Sequence, residues 1–119
     1  MAEKMAAKVG SQNSNMPNRA EILFDGALHN SSVELATGSG IFWVIIAGID
    51  SGGAHICRAA LYNNMHGQSS WNNVYEVFAQ DPDNYLSITM TNTYKITLTC
   101  LSTNDCHYTI VKLTNINWT

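Results

Sequence analysis

The stretch Leu86–Cys100, LSITMTNTYKITLTC, decides the fold. Leu86, Ile88 and Met90 alternate with Ser87, Thr89 and Thr91. After Asn92 and Thr93, the residues Tyr94, Ile96, Leu98 and Cys100 alternate with Lys95, Thr97 and Thr99. A period of two sends each set to one face of a strand, so the segment reads as an antiparallel hairpin with one buried and one wet face. Cys106–Thr114 continues the pattern and is expected to fold back on the second arm. A turn centred on Thr103 would set Cys100 opposite Cys106, Leu98 opposite Tyr108 and Ile96 opposite Ile110, all six inward. A slip by one residue would mix the faces.

Upstream, strands alternate with turn signals. Ile22–Phe24 is followed by the turn pair Asp25-Gly26, and Ser32–Ala36 by Thr37-Gly38-Ser39-Gly40. Ile41–Ile49 is almost wholly apolar and β-branched, which predicts a central strand covered on both faces. Asp50-Ser51-Gly52-Gly53 is a hairpin turn, because Gly supplies the positive φ such turns need, and Ala54–Tyr62 returns as the partner. Val74–Ala79 is a further strand, ended by Asp81-Pro82-Asp83-Asn84. About eight short strands predict an all-β fold over residues 21–119, an antiparallel β-sandwich or jelly roll. Trp43, Ile45, Leu86, Ile88, Ile96, Leu98 and Ile110 are its expected core. Ile41–Ile49 and Ala54–Tyr62 are apolar on both faces, more than one small sandwich covers, so one face is expected to meet neighbouring subunits.

Residues 1–20 form a separate N-terminal region. Ala2, Met5, Ala6 and Val9 share one helical face, and residues 11–18 are a polar linker. The region reads as the last turns of a shaft or as an appended segment, and it contains no apolar run of signal-peptide length.

Composition narrows the function. Charged residues are only 13%, while 13 Asn, 10 Ser and 10 Thr supply the polarity. A surface of amides and hydroxyls suits hydrogen bonding to neutral ligands such as sugars; it also follows simply from Thr on strand faces and Asn in turns. A net charge of −3 with dispersed cations gives no footprint for nucleic acid. The longest greasy run, Ile41 to Ala47, is too short to insert in a membrane. Cys57, Cys100 and Cys106 are odd in number and lack zinc-site spacing, so free thiols are expected, as in a chain made in a cytosol.

Enzyme and cofactor motifs are absent: there is no G-x-S-x-G, H-E-x-x-H, P-loop or dinucleotide fingerprint. The reading is therefore non-enzymatic, with no cofactor and no metal. His29, His55, His66 and His107 are scattered, and Asp81 and Asp83 flank Pro82 as turn formers rather than as an acid–base pair. Asn30-Ser31-Ser32 and Asn117-Trp118-Thr119 match the glycosylation pattern, a coincidence expected of an Asn-rich chain. The loop from Asn63 to Asn73 alone looks functional. Trp71 can stack on a sugar ring while His66, Gln68, Asn72 and Asn73 take its hydroxyls. The alternative is that Trp71 pins the loop or a subunit interface.

The run Glu21-Ile22-Leu23-Phe24-Asp25-Gly26, then Val33-Glu34-Leu35, then Phe42-Trp43-Val44-Ile45-Ile46, with Tyr108-Thr109-Ile110-Val111-Lys112-Leu113 at the close, resembles C-terminal modules of tail-fibre and minor structural proteins from phages and prophages of Gram-positive bacteria. The likeness covers roughly residues 21–114. It implies a β-sandwich head, usually a homotrimer, on a virion appendage. Such a head attaches to a host cell-surface glycan or teichoic acid and assembles with other virion tail proteins. No family site residue carries over. Two other readings stand beside it: a free-standing bacterial lectin-like domain, secreted or at the cell surface, and a small jelly-roll hydrolase.

Overall fold

The computed structural model describes residues 20–64, 74–92 and 94–113. Within them the chain forms eight strands: β1 (Glu21–Leu28), β2 (Ser31–Ala36), β3 (Ile41–Ile49), β4 (His55–Asn63), β5 (Val74–Gln80), β6 (Leu86–Asn92), β7 (Lys95–Cys100) and β8 (Cys106–Lys112). All pairings are antiparallel, in a five-stranded sheet ordered β1-β8-β3-β4-β5 and a three-stranded sheet ordered β2-β7-β6. No helix occurs among the described residues. The sheets pack face to face as a β-sandwich. β1 pairs with β8 in one sheet and β2 with β7 in the other.

The core lies between the sheets. Phe42, Val44, Ile46, Tyr62 and Ile110 from the larger sheet meet Leu86, Ile96, Leu98 and Cys100 from the smaller one. Phe42 and Tyr62 stack with centroids 5.6 Å apart, and the Tyr62 hydroxyl donates across to the Lys95 carbonyl. The Leu86–Cys100 hairpin forms in the expected register, with Leu86 beside Cys100, Ile88 beside Leu98 and Met90 beside Ile96.

Four expectations need correction. First, β7 and β8 are not a hairpin. β7 lies between β2 and β6, while β8 lies between β1 and β3, so residues 101–105 carry the chain from one sheet to the other. The inward faces were assigned correctly, since Leu98, Ile96 and Ile110 are fully buried, but they meet across the core rather than along a ladder. Second, Cys100 and Cys106 are joined by a disulfide between the sheets, and Cys57 alone is free. The crossing brings the end of β7 and the start of β8 together from opposite sides of the core, within reach of a bridge.

Third, the buried set of β3 is Phe42, Val44 and Ile46, with Trp43 and Ile45 on the opposite, half-buried face. Both sets are apolar, so periodicity had no polar residue by which to tell inside from outside. Ile88 is likewise only partly buried. Fourth, Asp25-Gly26 is not a turn: both residues lie within β1, paired with Thr109 and Tyr108. The Tyr108 ring covers Gly26, where a Cβ would stand 2.7 Å from the phenol oxygen. The turn comes later, with Asn30 at a positive φ of 48°.

Candidate functional site

All five residues proposed from sequence as a binding segment, His66, Gln68, Trp71, Asn72 and Asn73, lie outside the described residues. Their chain neighbours do not. Asn64 is fully buried and closes the end of the sandwich by exchanging backbone hydrogen bonds with Gly40. Its side-chain amide donates to the Gly38 carbonyl at 3.3 Å, and its Oδ1 has no partner among the described residues. On the far side of the loop, Val74 opens β5 and lines a cleft.

That cleft, about 340 Å³ in volume, lies where β4 and β5 of the larger sheet face β6 of the smaller one. Ala60, Val74, Leu86 and Ile88 supply apolar walls, Arg58, Glu76 and Asn84 supply polar groups, and Ser87 and Thr89 complete the rim along the edge strand β6. Arg58 is the organising residue. It sits on the inward row of β4, beside Ile46 of β3, and is largely buried. A buried guanidinium requires carboxylate and hydrogen-bond partners, and it has them. Its Nε donates to Asp81 Oδ2 at 3.0 Å, its Nη1 to Glu76 Oε1 at 2.9 Å and its Nη2 to Asn84 Oδ1 at 2.7 Å.

Asp81 is therefore more than a turn former. Its side chain is fully buried and also accepts the backbone N–H groups of Tyr85 and Leu86. Burial opposes its ionisation, but those two N–H groups and the Arg58 guanidinium outweigh it and hold the carboxyl below the ordinary aspartate range. Asp83, two residues on, is exposed. A signal for this cluster existed: Arg58 is the lone charge in the otherwise apolar Ile56–Tyr62, and a charge there needs a partner.

The two outer faces of the sandwich differ. The three-stranded sheet presents the rows Ser32–Thr99–Ser87 and Glu34–Thr97–Thr89. The Ser32 and Thr99 hydroxyls bond across strands at 2.7 Å, and the Thr91 and Thr97 hydroxyls also bond to each other. The five-stranded sheet presents Ile22–Val111–Trp43–Leu61–Tyr75 across all five strands, then Asp25–Thr109–Ile45–Ala59–Phe78. Ile22, Tyr75 and Phe78 of these rows are more than half exposed.

The described histidines do not converge. His29 pairs with Asp105 at 2.8 Å and His107 with Asp25, which also accepts from Thr109. Among the described residues no group of three or more His, Cys, Asp or Glu side chains is placed to hold a metal ion. Comparison with protein-family models, with curated proteins and with solved structures finds no match to this chain.

Proposed function

We propose that this chain is a non-enzymatic head module of a virion tail fibre or related appendage, which attaches to a saccharide on the host surface. The observation that carries the reading is the cleft between β5 and β6. It combines apolar walls for the C–H face of a sugar ring with amide and carboxylate groups for its hydroxyls. The segment holding Trp71, His66, Gln68, Asn72 and Asn73 immediately precedes Val74 in sequence, and Val74 lines the cleft. An indole supplies the stacking platform that a sugar ring needs.

Assembly is the second half of the proposal. An apolar row crossing five strands with half-exposed ends is an unusual surface to leave in water. It suits the packing of copies of the chain in a homotrimer, in an appendage built with other virion proteins. The Cys100–Cys106 bridge favours a destination outside a reducing cytosol. A virion exterior meets that condition, and so does the alternative, a secreted or cell-surface lectin-like domain.

The test is binding of the labelled full chain to purified Gram-positive cell walls, with Trp71→Ala and with Val74→Trp, which fills the cleft from its inward-facing wall. The expected result is a loss of about tenfold or more in each variant, equivalent to about 1.4 kcal/mol, with an unchanged melting temperature. Cell-wall binding that survives both substitutions overturns the attachment reading. Light scattering separates the two settings: a trimer favours the virion head, and a 13.1 kDa monomer favours the lectin.

A further inference from the structure

The charge of the cleft points to the class of saccharide, an inference that rests on the attachment reading above. Arg58 is the only cation lining it among the described residues, and Asp81 and Glu76 both bond to that one guanidinium. Two carboxylates against one guanidinium leave the cluster with a net charge of −1. The surroundings do not reverse it. The described residues contain three Lys or Arg side chains, Arg58, Lys95 and Lys112. They contain eight carboxylates: Glu21, Asp25, Glu34, Asp50, Glu76, Asp81, Asp83 and Asp105. Neither lysine lines the cleft.

The guanidinium is also largely committed. Nε, Nη1 and Nη2 each donate to a protein oxygen, which takes three of its five N–H groups and leaves no nitrogen wholly free for a ligand. What remains is suited to neutral partners. The Asn84 amide N–H groups and the second oxygen of Glu76 have no partners among the described residues. A carboxylate oxygen accepts from sugar hydroxyls, and an amide N–H donates to a ring or hydroxyl oxygen.

We propose that the cleft takes an uncharged saccharide and excludes anionic ones, phosphodiester-linked teichoic polymers and uronic or sialic acids among them. The two ligand classes implied by the family resemblance, neutral glycan and teichoic acid, are thereby separated by charge. An acidic cleft also raises the local concentration of cations and depletes anions, an effect that weakens with salt.

The experiment uses the full chain against immobilised probes: uncharged oligosaccharides, their uronic-acid counterparts and a glycerol-phosphate polymer. Binding is expected among the uncharged probes, with the matched uronic acid weaker by about tenfold at low salt and the gap narrowing at about 0.15 M. Glu76→Gln keeps an oxygen for Arg58 and removes the excess charge, so it should narrow the same gap by about threefold or more. Two failures are distinct. If an anionic probe binds best, or Glu76→Gln leaves the gap unchanged, the charge inference is overturned while saccharide attachment stands. If no probe binds at millimolar concentration and cell walls do not bind either, the attachment reading falls and this inference with it.

Discussion

Connections that stay within a sheet and connections that cross between sheets are built differently. The β3–β4 hairpin is closed by local turn chemistry: the Asp50 carboxylate accepts the N–H groups of Gly52 and Ala54, and Gly53 takes a positive φ of 97°. Of the four crossings, β1–β2 is a two-residue turn with Asn30 at a positive φ of 48°, and the other three each carry a buried polar side chain that makes a hydrogen bond far away in sequence. Between β5 and β6, Asp81 holds Arg58 of β4 and the backbone of Tyr85 and Leu86. Between β2 and β3, Thr37 donates its backbone N–H and its hydroxyl to the Tyr94 carbonyl. Between β7 and β8, the Ser102 hydroxyl donates to the Ile49 carbonyl, and the Asn104 amide donates to the Asp50 carbonyl. The buried polar residues Thr37, Asp81 and Ser102 are thus the pins of these three crossings. A hairpin is specified by its own few residues, whereas a pinned crossing is specified by what it touches.

That difference governs what could be read. Strands, faces and the hairpins at Asp50–Gly53 and Asn92 were legible because each signal is local: alternation, Gly and Asn. The β7–β8 connection contains the same kinds of residue, Ser102, Thr103 and Asn104, and looks like another hairpin. What distinguishes it are contacts far away in sequence, the Ser102 hydroxyl to Ile49 across 53 positions and the Asn104 amide to Asp50 across 54. The inner and outer sets of β3 could not be separated for a related reason, since both are apolar and the choice rests on which sheet lies opposite. The candidate cleft was hidden likewise, since its walls come from β4, β5 and β6, and Arg58 was the one local hint.

The largest expected effect sets the scale for a residue buried under either kind of connection. Leu98 is fully buried and stands beside Val33 and Ile88. Leu98→Ala should cost about 2–5 kcal/mol in denaturant unfolding. A double-mutant cycle with Val33→Ala should show coupling, since the two side chains share one row of the small sheet. A cost below about 1 kcal/mol would mean that β7 does not face the core.

Next comes the pin at β5–β6. Asp81→Asn removes a fully buried carboxylate from Arg58 and from two backbone N–H groups, a loss of about 3 kcal/mol. The sign with pH follows from its lowered pKa. The stabilisation is fully present above the ordinary aspartate pKa of about 3.9 and is lost as pH falls through the lower folded value. The variant should therefore lose part of the acid limb of its stability profile. A profile parallel to that of the parent chain below pH 4 would break the assignment.

The disulfide ranks third. Its closed loop is short, with a sequence separation of 6, so removal in Cys100→Ser/Cys106→Ser should cost about 2 kcal/mol by loop entropy. Alkylation of the unfolded chain should label Cys57 alone without reductant and all three cysteines after reduction. Labelling of all three before reduction would show free thiols and return the crossing to its pins alone.

The smallest effect is the most discriminating. Ser102 would point into water in a β7–β8 hairpin, and Ser102→Ala would then change stability by less than about 0.5 kcal/mol. In the crossing it is fully buried; its hydroxyl donates to Ile49 and accepts the N–H of Asn104. Truncation leaves a buried carbonyl and an amide N–H short of one partner each, which should cost about 1–2 kcal/mol. Thr103→Ala supplies the internal control. Its hydroxyl is only 3.4 Å from Ser51 at an exposed position, where such a contact contributes little. A Ser102 loss that clearly exceeds the Thr103 loss means that the chain is pinned across the sandwich. Equal and negligible losses would mean that residues 101–105 form an ordinary solvent turn, and the distinction between the two kinds of connection would fail at the place where it matters most.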